Sequence, residues 1–333
     1  ACTLSGCASL RPLPDAASVI VPNRFAYAPE QTGDASVTGL LPADPAFAEL
    51  RTAARDAPNL GAALARIDAA RASARRARAD RAPDVTASGN VSAERGSAAS
   101  QPGNAFASRD QTRFQPQLQA SWDLDIFGGL RAGQRAAQAR LDAAGADADA
   151  VRLALDCDIA LALIDYREAA AREALVQRDV DDNGELVRLT RLRARAGVVA
   201  EFDVVRAEAL ARDAEARLAI FAGEKASVVG RLVALTALDA NAVLTKLAVA
   251  PGTKAPSNLS AGLPSRLLRN RPDVRAAEYR LAAAKQDVAS AAAQRFPKLT
   301  LTGTLGLLAL ATGDLFSGDA LAATLGAGVS GPL

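Results

Sequence analysis

One stretch of the chain, Phe114–Phe127, alternates between apolar and polar residues. Successive side chains of a β-strand point to opposite faces, so this segment predicts a strand with one apolar face and one polar face. It is longer than the usual strand of a soluble protein and suits a membrane strand, which needs about 9–11 residues. Aromatic residues near both ends suit the two water–lipid interfaces. By itself, the segment is equally compatible with a half-buried strand of a soluble β-sandwich.

Three further segments alternate in the same way, and the four together predict strands at about residues 84–94, 113–127, 298–308 and 321–333. Their polar faces suit a water-filled lumen, and their apolar faces suit lipid. The candidate lumen-facing residues are Thr86, Ser88, Asn90, Gln115, Gln117, Gln119, Asp123, Asp125, Thr300 and Thr302. An open four-stranded sheet has unpaired backbone groups at both edges and cannot lie in a bilayer. If the strands span a membrane, several copies of the chain must share one barrel.

Composition argues against several classes of function. The chain has 333 residues, of which 50% are hydrophobic, and its formal net charge of +2 does not suggest a nucleic-acid-binding protein. Histidine and methionine are both absent, which removes histidine acid–base catalysis and histidine metal sites. Asp123 and Asp125 could act as paired carboxylates, but a lumen wall explains them better. We predict no catalytic residue, no metal site and no cofactor.

The first residues include Leu4-Ser5-Gly6-Cys7, which resembles the processing site of bacterial lipoproteins. This resemblance implies that residues 1–7 are the end of a lipoprotein signal and that Cys7 carries the lipid. Acyl chains would then anchor the protein to a membrane. Residues 8–44 are rich in Pro, Ala and Asp without periodicity and predict an extended tether. Cys157 lies in a helical pattern, where we expect a buried, inert thiol.

Long helices are predicted between the two pairs of strands. Residues 45–81 predict one helix that Pro83 ends. Residues 130–196 contain no proline and repeat apolar residues at near-heptad spacing over about 100 Å, with Gly184 as a point where the helix could break. Residues 204–235 keep the spacing of a coiled-coil seam. The pattern therefore predicts a helical hairpin at 130–238, far longer than a globular domain needs.

The turn of this hairpin spans Arg195–Asp203, and Gly197 is suited to end its first helix. An ordinary helix-ending turn would explain these residues. Val198, Val199 and Phe202 would, however, present apolar side chains at an exposed tip, which favours a docking site.

The two halves of the chain repeat the same order of helix and strands. The segment that begins Ala82-Pro83-Asp84-Val85 aligns with the one that begins Phe296-Pro297-Lys298-Leu299. The first repeat is predicted at 45–238, a connector at 239–262, and the second repeat from 263. Because the second repeat stops at 333, without a matching hairpin, we predict that the sequence is a fragment of a longer protein.

Three motifs resemble the TolC family of outer-membrane efflux proteins, in the lipoprotein branch that serves resistance–nodulation–division pumps. The first comprises Gly262-Leu263-Pro264-Ser265, Leu267-Leu268, Arg271-Pro272-Asp273-Val274-Arg275 and Ala277-Glu278, with Asn270 where arginine is usual. The second is Trp122-Asp123-Leu124-Asp125-Ile126-Phe127-Gly128, at the end of a strand. The third is Arg195-Ala196-Gly197-Val198 with Asp203-Val204, at the hairpin tip.

The resemblance implies an α+β membrane protein with long α-helical coiled-coil hairpins. Each protomer of a homotrimer would contribute four β-strands to one shared transmembrane β-barrel. A periplasmic adaptor protein would dock at Ala196, Gly197 and Val198, and an inner-membrane pump would act through the adaptor. The protein would be lipid-anchored in the outer membrane of a Gram-negative bacterium, with a large periplasmic portion. No gate residue can be assigned, because the family's gate lies mainly in the second repeat.

The function implied is that of the outer-membrane channel of a tripartite efflux system, a passive exit duct for drugs or other small molecules. Two alternatives stay open at this point. One is the outer-membrane duct of a type I protein or peptide secretion system. The other is a lipid-anchored coiled-coil scaffold of the cell envelope, which would explain the heptads but not the four alternating strands.

Overall fold

The computed structural model describes residues 44–95, 110–249 and 268–332. The chain divides into two compact units. Among the described residues, the sheet unit comes from 67–95, 110–144 and 276–332, and the hairpin unit comes from 44–66, 145–249 and 268–275. Cys7 and the predicted tether, apart from its last residue Asp44, lie outside the described residues, as does most of the predicted connector.

The sheet unit contains four antiparallel strands in the order β1-β2-β3-β4. They are β1 Asp84–Arg95, β2 Asp110–Leu124, β3 Lys298–Leu307 and β4 Leu321–Ser330. Residues directly opposite one another in neighbouring strands share a face. Trp122 lies opposite Leu301, which lies opposite Ala327, and the neighbouring row joins Asp123 to Thr300. The register therefore collects the apolar residues on one face and the polar residues on the other, and the prediction of four strands is confirmed.

The predicted ends of two strands were wrong. We predicted the second strand at 113–127, but β2 ends at Leu124, where Ile126 N–H donates to the Leu124 carbonyl at 2.8 Å and the chain turns. Gly128 completes this turn at a φ of 75°, which glycine adopts without strain. We predicted the fourth strand to residue 333, but β4 ends at Ser330, shortly before Pro332, which has no N–H to donate.

Asp125 is consequently not a strand residue, and its prediction as a lumen-facing strand residue was wrong. It lies just before the third helix, α3 Gly129–Arg195, and its carboxylate accepts the N–H groups of Leu130 at 2.9 Å and Arg131 at 2.8 Å. The Arg131 side chain also donates its Nε–H to Asp125 at 3.2 Å. A carboxylate that satisfies the first N–H groups of a helix stabilises the helix start.

The predicted single helix at 45–81 is two helices, α1 Pro45–Ala53 and α2 Pro58–Ala79. One 3₁₀ turn, Ala54–Asp56, lies between them. The break has a local cause, because proline disfavours the α conformation in the residue before it. Ala57 is accordingly extended, with φ −60° and ψ 136°.

The hairpin consists of α3 and α4 Glu201–Thr236, and α5 Ala240–Leu247 follows inside the predicted connector. Gly184 does not interrupt α3, and Cys157 is exposed on it, so both of these expectations were wrong. All the seam residues that this spacing predicts in α4 are buried or half-buried, namely Val204, Ala207, Ala211, Ala214, Leu218, Phe221, Lys225, Val228, Leu232 and Leu235. The fully buried seam residues are Val204, Ala207, Ala214, Val228 and Leu232.

Ion pairs fix the register of the two hairpin helices. Arg191 pairs with Glu208 at 2.6 Å near the tip, and Arg231 pairs with Asp165 at 3.0 Å far from it. Between these pairs, Lys225 occupies a seam position and binds Glu173. Each pair joins residues at matching distances from the turn, as an antiparallel hairpin requires. A charged residue in an otherwise apolar seam specifies one register, because a slipped register would leave it without its partner.

The core of the hairpin unit is a cluster of apolar side chains from four helices. Its largest members include Phe47, Leu50, Ile159, Leu163, Leu232, Val243 and Leu247. Arg167 lies beside this core and binds Asp44, the N-cap of α1, with Nε at 2.9 Å from one carboxylate oxygen. Its two terminal nitrogens donate to the carbonyl oxygens of Leu247 at 2.7 Å and Val249 at 2.6 Å. One guanidinium therefore joins the start of α1 to the end of α5.

A further helix, α6 Pro272–Ala293, begins with a proline, which suits the first turn of a helix. In the sheet unit, the start of α3 packs against the end of α6. A Cβ on Gly129 would lie 3.0 Å from the Ala293 Cβ, and Ser290 Oγ donates to the Gly129 carbonyl at 3.0 Å. Arg140 and Asp287 form an ion pair at 2.5 Å between the same two helices. Small residues thus allow the two helices to approach closely.

Among the described residues, no single helix combines the length and the apolar character needed to cross a bilayer. Only α4 and α5 taken together meet that criterion, and they are bent by 109°.

Replacing Arg167 with alanine should lower the apparent free energy of unfolding by about 2–3 kcal/mol, because Asp44 and two carbonyl oxygens lose their partner. Arg172→Ala on the same helix is the matched control. Its pair with Glu168 is exposed on both sides, so the loss should stay below about 0.5 kcal/mol. Denaturant unfolding of the intact protein measures both, and equal losses would contradict the role given to Arg167.

Asp125→Ala should lower the free energy of unfolding by about 1–2 kcal/mol, the usual effect of losing a helix N-cap, whereas Asp125→Asn should lower it less. Partial burial alone would raise the pKa of Asp125, but the N–H groups of Leu130 and Arg131 and the Arg131 guanidinium lower it below its ordinary value. The contribution of the charged carboxylate is therefore present above the pKa of the unfolded state and is lost as the pH falls through the folded pKa.

The advantage of wild type over Asp125→Asn should therefore shrink as the pH is lowered below about 4, where an ordinary carboxyl becomes protonated. Unfolding experiments across this pH range test the sign. A difference that grows on acidification would show that the carboxylate does not stabilise the helix start.

Candidate functional site

The polar face of the sheet holds every predicted lumen-facing residue except Asp125. The register joins Thr86 to Gln119 and Gln119 to Thr304 in one row, and Ser88 to Gln117 in the next. The remaining predicted residues on this face are Asn90, Gln115, Asp123, Thr300 and Thr302. Thr300 Oγ1 donates to the Asp123 carboxylate at 2.6 Å, which orients that charge on the face. Most of the face therefore consists of hydroxyl and amide groups that can hydrogen-bond to water.

No described residue of the chain covers the apolar face of the sheet. Val85 and Val91 of β1 are 64% and 65% exposed, and Leu325 of β4 is 88% exposed. Large exposed apolar patches of this kind mark contact with a membrane or with another protein. Trp122 is on this face near the helical end of β2, and its indole N–H donates to the Arg81 carbonyl at 3.0 Å. An aromatic ring with a bonded polar tip is typical of a membrane–water interface.

The two outer strands each pair on one side only within the described residues. β1 pairs with β2, and β4 pairs with β3, so the sheet is open at both edges. An open edge offers a row of backbone donors and acceptors to a further strand.

The hairpin tip presents two exposed apolar side chains. Gly197 has a φ of 74° and ends α3, with its N–H donating to the Ala194 carbonyl at 2.9 Å. Val198 N–H donates to the Arg193 carbonyl at 2.9 Å, so two carbonyls at the end of α3 are satisfied. Beyond this turn, Val198 is 70% exposed and Phe202 is 73% exposed. The predicted tip residues are therefore at a turn with an apolar surface, and their docking role stays a prediction.

Sequence patterns missed two features at the strands. Phe127 and Phe296 stack with ring centroids 4.7 Å apart and an interplanar angle of 13°. Each phenylalanine lies where a strand meets a helix, one after β2 and one before β3. The second feature is Pro116 in the middle of β2, which is unusual in an interior strand and was a readable signal of a local irregularity.

Within the described part of the chain, no group of three or more cysteine, aspartate or glutamate side chains is arranged to hold a metal ion. The expectation that the protein uses no metal or cofactor stays a prediction, as does lipidation of Cys7.

Comparison with known proteins shows what this chain is similar to. The sequence profile described as outer membrane efflux protein matches residues 50–238 and 263–333. Nodulation protein T of Rhizobium leguminosarum bv. trifolii is 34% identical over 248 residues, which are 73% of this chain and 51% of that protein. The pyoverdine export outer membrane protein OpmQ of Pseudomonas aeruginosa is 28% identical over 323 residues, covering 95% of this chain and 68% of that protein. This chain spans about half the length, or less, of several curated relatives that it matches.

The fold agrees with solved channels. The outer-membrane channel OprN superposes with a TM-score of 0.77 at 29% identity, over 94% of this chain and 73% of that chain. A second solved structure, a membrane protein from Pseudomonas aeruginosa, superposes with a TM-score of 0.82 at 27% identity, over 95% of this chain and 73% of that chain. The predicted TolC-like α+β fold and the predicted location in the outer membrane of a Gram-negative bacterium are confirmed. The chain belongs to the outer membrane efflux protein family.

Proposed function

We propose that the intact protein is the outer-membrane channel of a tripartite efflux system and serves as a passive exit duct for drugs or other small molecules. An inner-membrane pump and a periplasmic adaptor deliver the substrate. The observation that carries this proposal is the sheet, which has one uncovered apolar face, one hydroxyl- and amide-rich face and two open edges.

The two open edges and the family resemblance support a homotrimer in this proposal. Unpaired backbone groups cannot remain in lipid, so β1 of one copy pairs with β4 of the next until the ring closes. The resemblance supplies the number three, and three copies of a four-stranded sheet fall within the known range of about 8 to 26 strands for such barrels. The apolar face then meets lipid, and the polar face lines the lumen.

The duct performs no chemistry in this proposal. Its wall carries Gln115, Gln117 and Gln119 on one strand and threonine hydroxyls on the neighbouring strand, all suited to a hydrated passage. Substrate class is supported by the relatives, since one of them is named for pyoverdine export. A small molecule that passes through a hydrated wall needs no binding site of high affinity.

Two attachments complete the proposal. The adaptor docks at the hairpin tip, where Ala196 and Gly197 form the turn and Val198 and Phe202 are exposed beside it. Acyl chains on Cys7, near the start of this sequence, anchor the protein in the outer membrane. A single acyl chain binds only marginally, so stable anchoring uses more than one.

The efflux role is tested by drug tolerance. Expression of the complete gene in a strain that keeps its pump and adaptor but lacks its own outer-membrane channel should restore tolerance across a drug panel. Failure to restore tolerance to any drug, with the protein present in the outer membrane, would contradict an efflux role. Restored secretion of a protein substrate instead would point to the secretion duct.

Val198→Asp should weaken adaptor binding and reduce drug tolerance, because a charge replaces an apolar side chain that becomes buried on docking. Val198→Leu keeps the apolar surface and is the matched control. Adaptor pull-down and drug tolerance are measured together with the amount of trimer on a gel. Normal adaptor binding by Val198→Asp trimers would remove Val198 from the docking site.

A further inference from the structure

Four arginines lie close together at the helical end of the sheet. The last turn of α2 carries Arg75, Arg76 and Arg78, and Arg81 follows shortly before β1 begins. All four residues are exposed. The segment 75–81 contains these four arginines and one aspartate, so its formal net charge of +3 exceeds the +2 of the whole chain. We call the four arginines the basic cluster.

The charges of the basic cluster are not neutralised by the part of the chain that the structure describes. No described carboxylate pairs with Arg75, Arg76 or Arg78. The Arg81 guanidinium donates to the side-chain oxygen of Gln134, which is an uncharged amide. The cluster is therefore free to bind an anionic partner.

The basic cluster is next to the residue that marks the membrane–water interface. The Trp122 indole N–H donates to the Arg81 carbonyl at 3.0 Å. Arg75 is four residues before Ala79, where α2 ends, which is a rise of about 6 Å. The polar region of a bilayer is about 5–7 Å thick on each side, and arginine side chains near a membrane extend toward it. All four guanidinium groups are therefore within reach of lipid headgroups when the sheet spans a membrane.

The arginines occupy most of the exposed side of the last turn of α2. At 3.6 residues per turn, Arg75, Arg76 and Arg78 are spread over about 160° of the helix surface. Ala74 and Ala77 are on the opposite side of the helix and are half-buried. A planar membrane surface beside the end of α2 would accordingly meet more than one cation.

Guanidinium groups select anionic phosphate. Each presents paired N–H donors that match two phosphate oxygens. A basic cluster beside a membrane raises the affinity for anionic lipid about fivefold for each arginine. Phosphatidylglycerol has a net negative charge, whereas the ammonium group of phosphatidylethanolamine cancels the charge of its phosphate. At the other end of β1, the charge of Arg95 is compensated by Asp110 at 3.6 Å, so the preference concerns the helical end.

We propose that Arg75, Arg76, Arg78 and Arg81 bind the headgroups of anionic phospholipids in the membrane leaflet nearest the helices. This inference rests on the membrane placement of the sheet in the proposed function, but not on transport. In that function, the helical end of the sheet is on the periplasmic side, where the leaflet consists of phospholipid. Each copy in the ring would carry one such surface.

Lipid selection by the intact protein tests the proposal. The protein is equilibrated in detergent micelles that contain equal amounts of phosphatidylglycerol and phosphatidylethanolamine, and the lipids that remain bound after isolation are quantified by mass spectrometry. Wild type should enrich phosphatidylglycerol over phosphatidylethanolamine. The combined variant Arg75→Gln, Arg76→Gln and Arg78→Gln should lower this enrichment at least tenfold.

Two control variants separate a local effect from a general change of charge. Replacing the exposed arginines Arg178, Arg206 and Arg212 of the hairpin unit with glutamine removes the same charge and should leave the enrichment unchanged. Lysine at positions 75, 76 and 78 keeps the charge and should preserve most of the enrichment. Equilibration in 1 M salt should reduce the enrichment by wild type, because salt screens exposed charges.

A second measurement uses no arginine variant and therefore covers a failure of the glutamine protein to assemble. Trp122 is the only tryptophan in this sequence, and its fluorescence is isolated by subtracting the signal of Trp122→Phe. In equal mixtures of the two lipids, phosphatidylglycerol with brominated acyl chains should quench Trp122 more than brominated phosphatidylethanolamine does.

Several results would overturn the inference. They are equal binding of the two lipids by wild type, equal enrichment in the glutamine variants of α2 and of the hairpin, equal quenching by both brominated lipids, or enrichment that 1 M salt leaves unchanged. None of these readouts depends on drug transport. A protein that enriches phosphatidylglycerol but restores no drug tolerance would disprove the efflux role and leave the lipid surface in place.

Discussion

The backbone of the sheet sets the strongest constraint on this protein. Each N–H and carbonyl group that enters hydrocarbon must be hydrogen-bonded, since no water is available to satisfy it. In the part of one chain that the structure describes, β1 and β4 have partners on one side only. The two open edges of this two-faced sheet therefore support the proposal that further copies of the chain complete it. The exposed valines and leucines on its apolar face also favour a membrane location, because a single chain in water would leave them exposed.

The hairpin is long, and for most of its length only a narrow row of apolar side chains holds its two helices together. Several seam positions of α4 are alanine, including the buried Ala207 and Ala214, so the apolar side chains along the hairpin are small. The larger side chains concentrate where α1 and α5 pack against the two long helices. Arg167 satisfies the open end of α5 and the N-cap of α1 at the edge of this cluster. Ion pairs such as Lys225–Glu173 set the register of the two helices. A seam of alanines alone would specify the register poorly, because equivalent positions would match after a slip.

Where the sequence reading failed, the cause was local chemistry that overrides periodicity. The alternation continues through Asp125, yet the strand stops at Leu124, because the Asp125 carboxylate binds the first N–H groups of α3. Pro58 divided a helix that composition alone predicts as continuous. At Gly184 we expected a break, but α3 continues through it, although glycine often weakens helices. Hydrogen bonding to Asp125 set one boundary and the restricted conformation of the residue before Pro58 set the other, and residue periodicity records neither effect directly.

The sequence by itself determined that four strands have one apolar and one polar face, and that a long coiled-coil hairpin lies between the pairs. Both follow from periods of two and of three to four residues, which depend only on backbone geometry. Only the tertiary structure decided that β2 pairs with β3, which places Asp123 beside Thr300 across a long separation in sequence. It also decided that Pro116 and Gly306 meet. Contacts between distant segments depend on register and close packing, which no local pattern encodes.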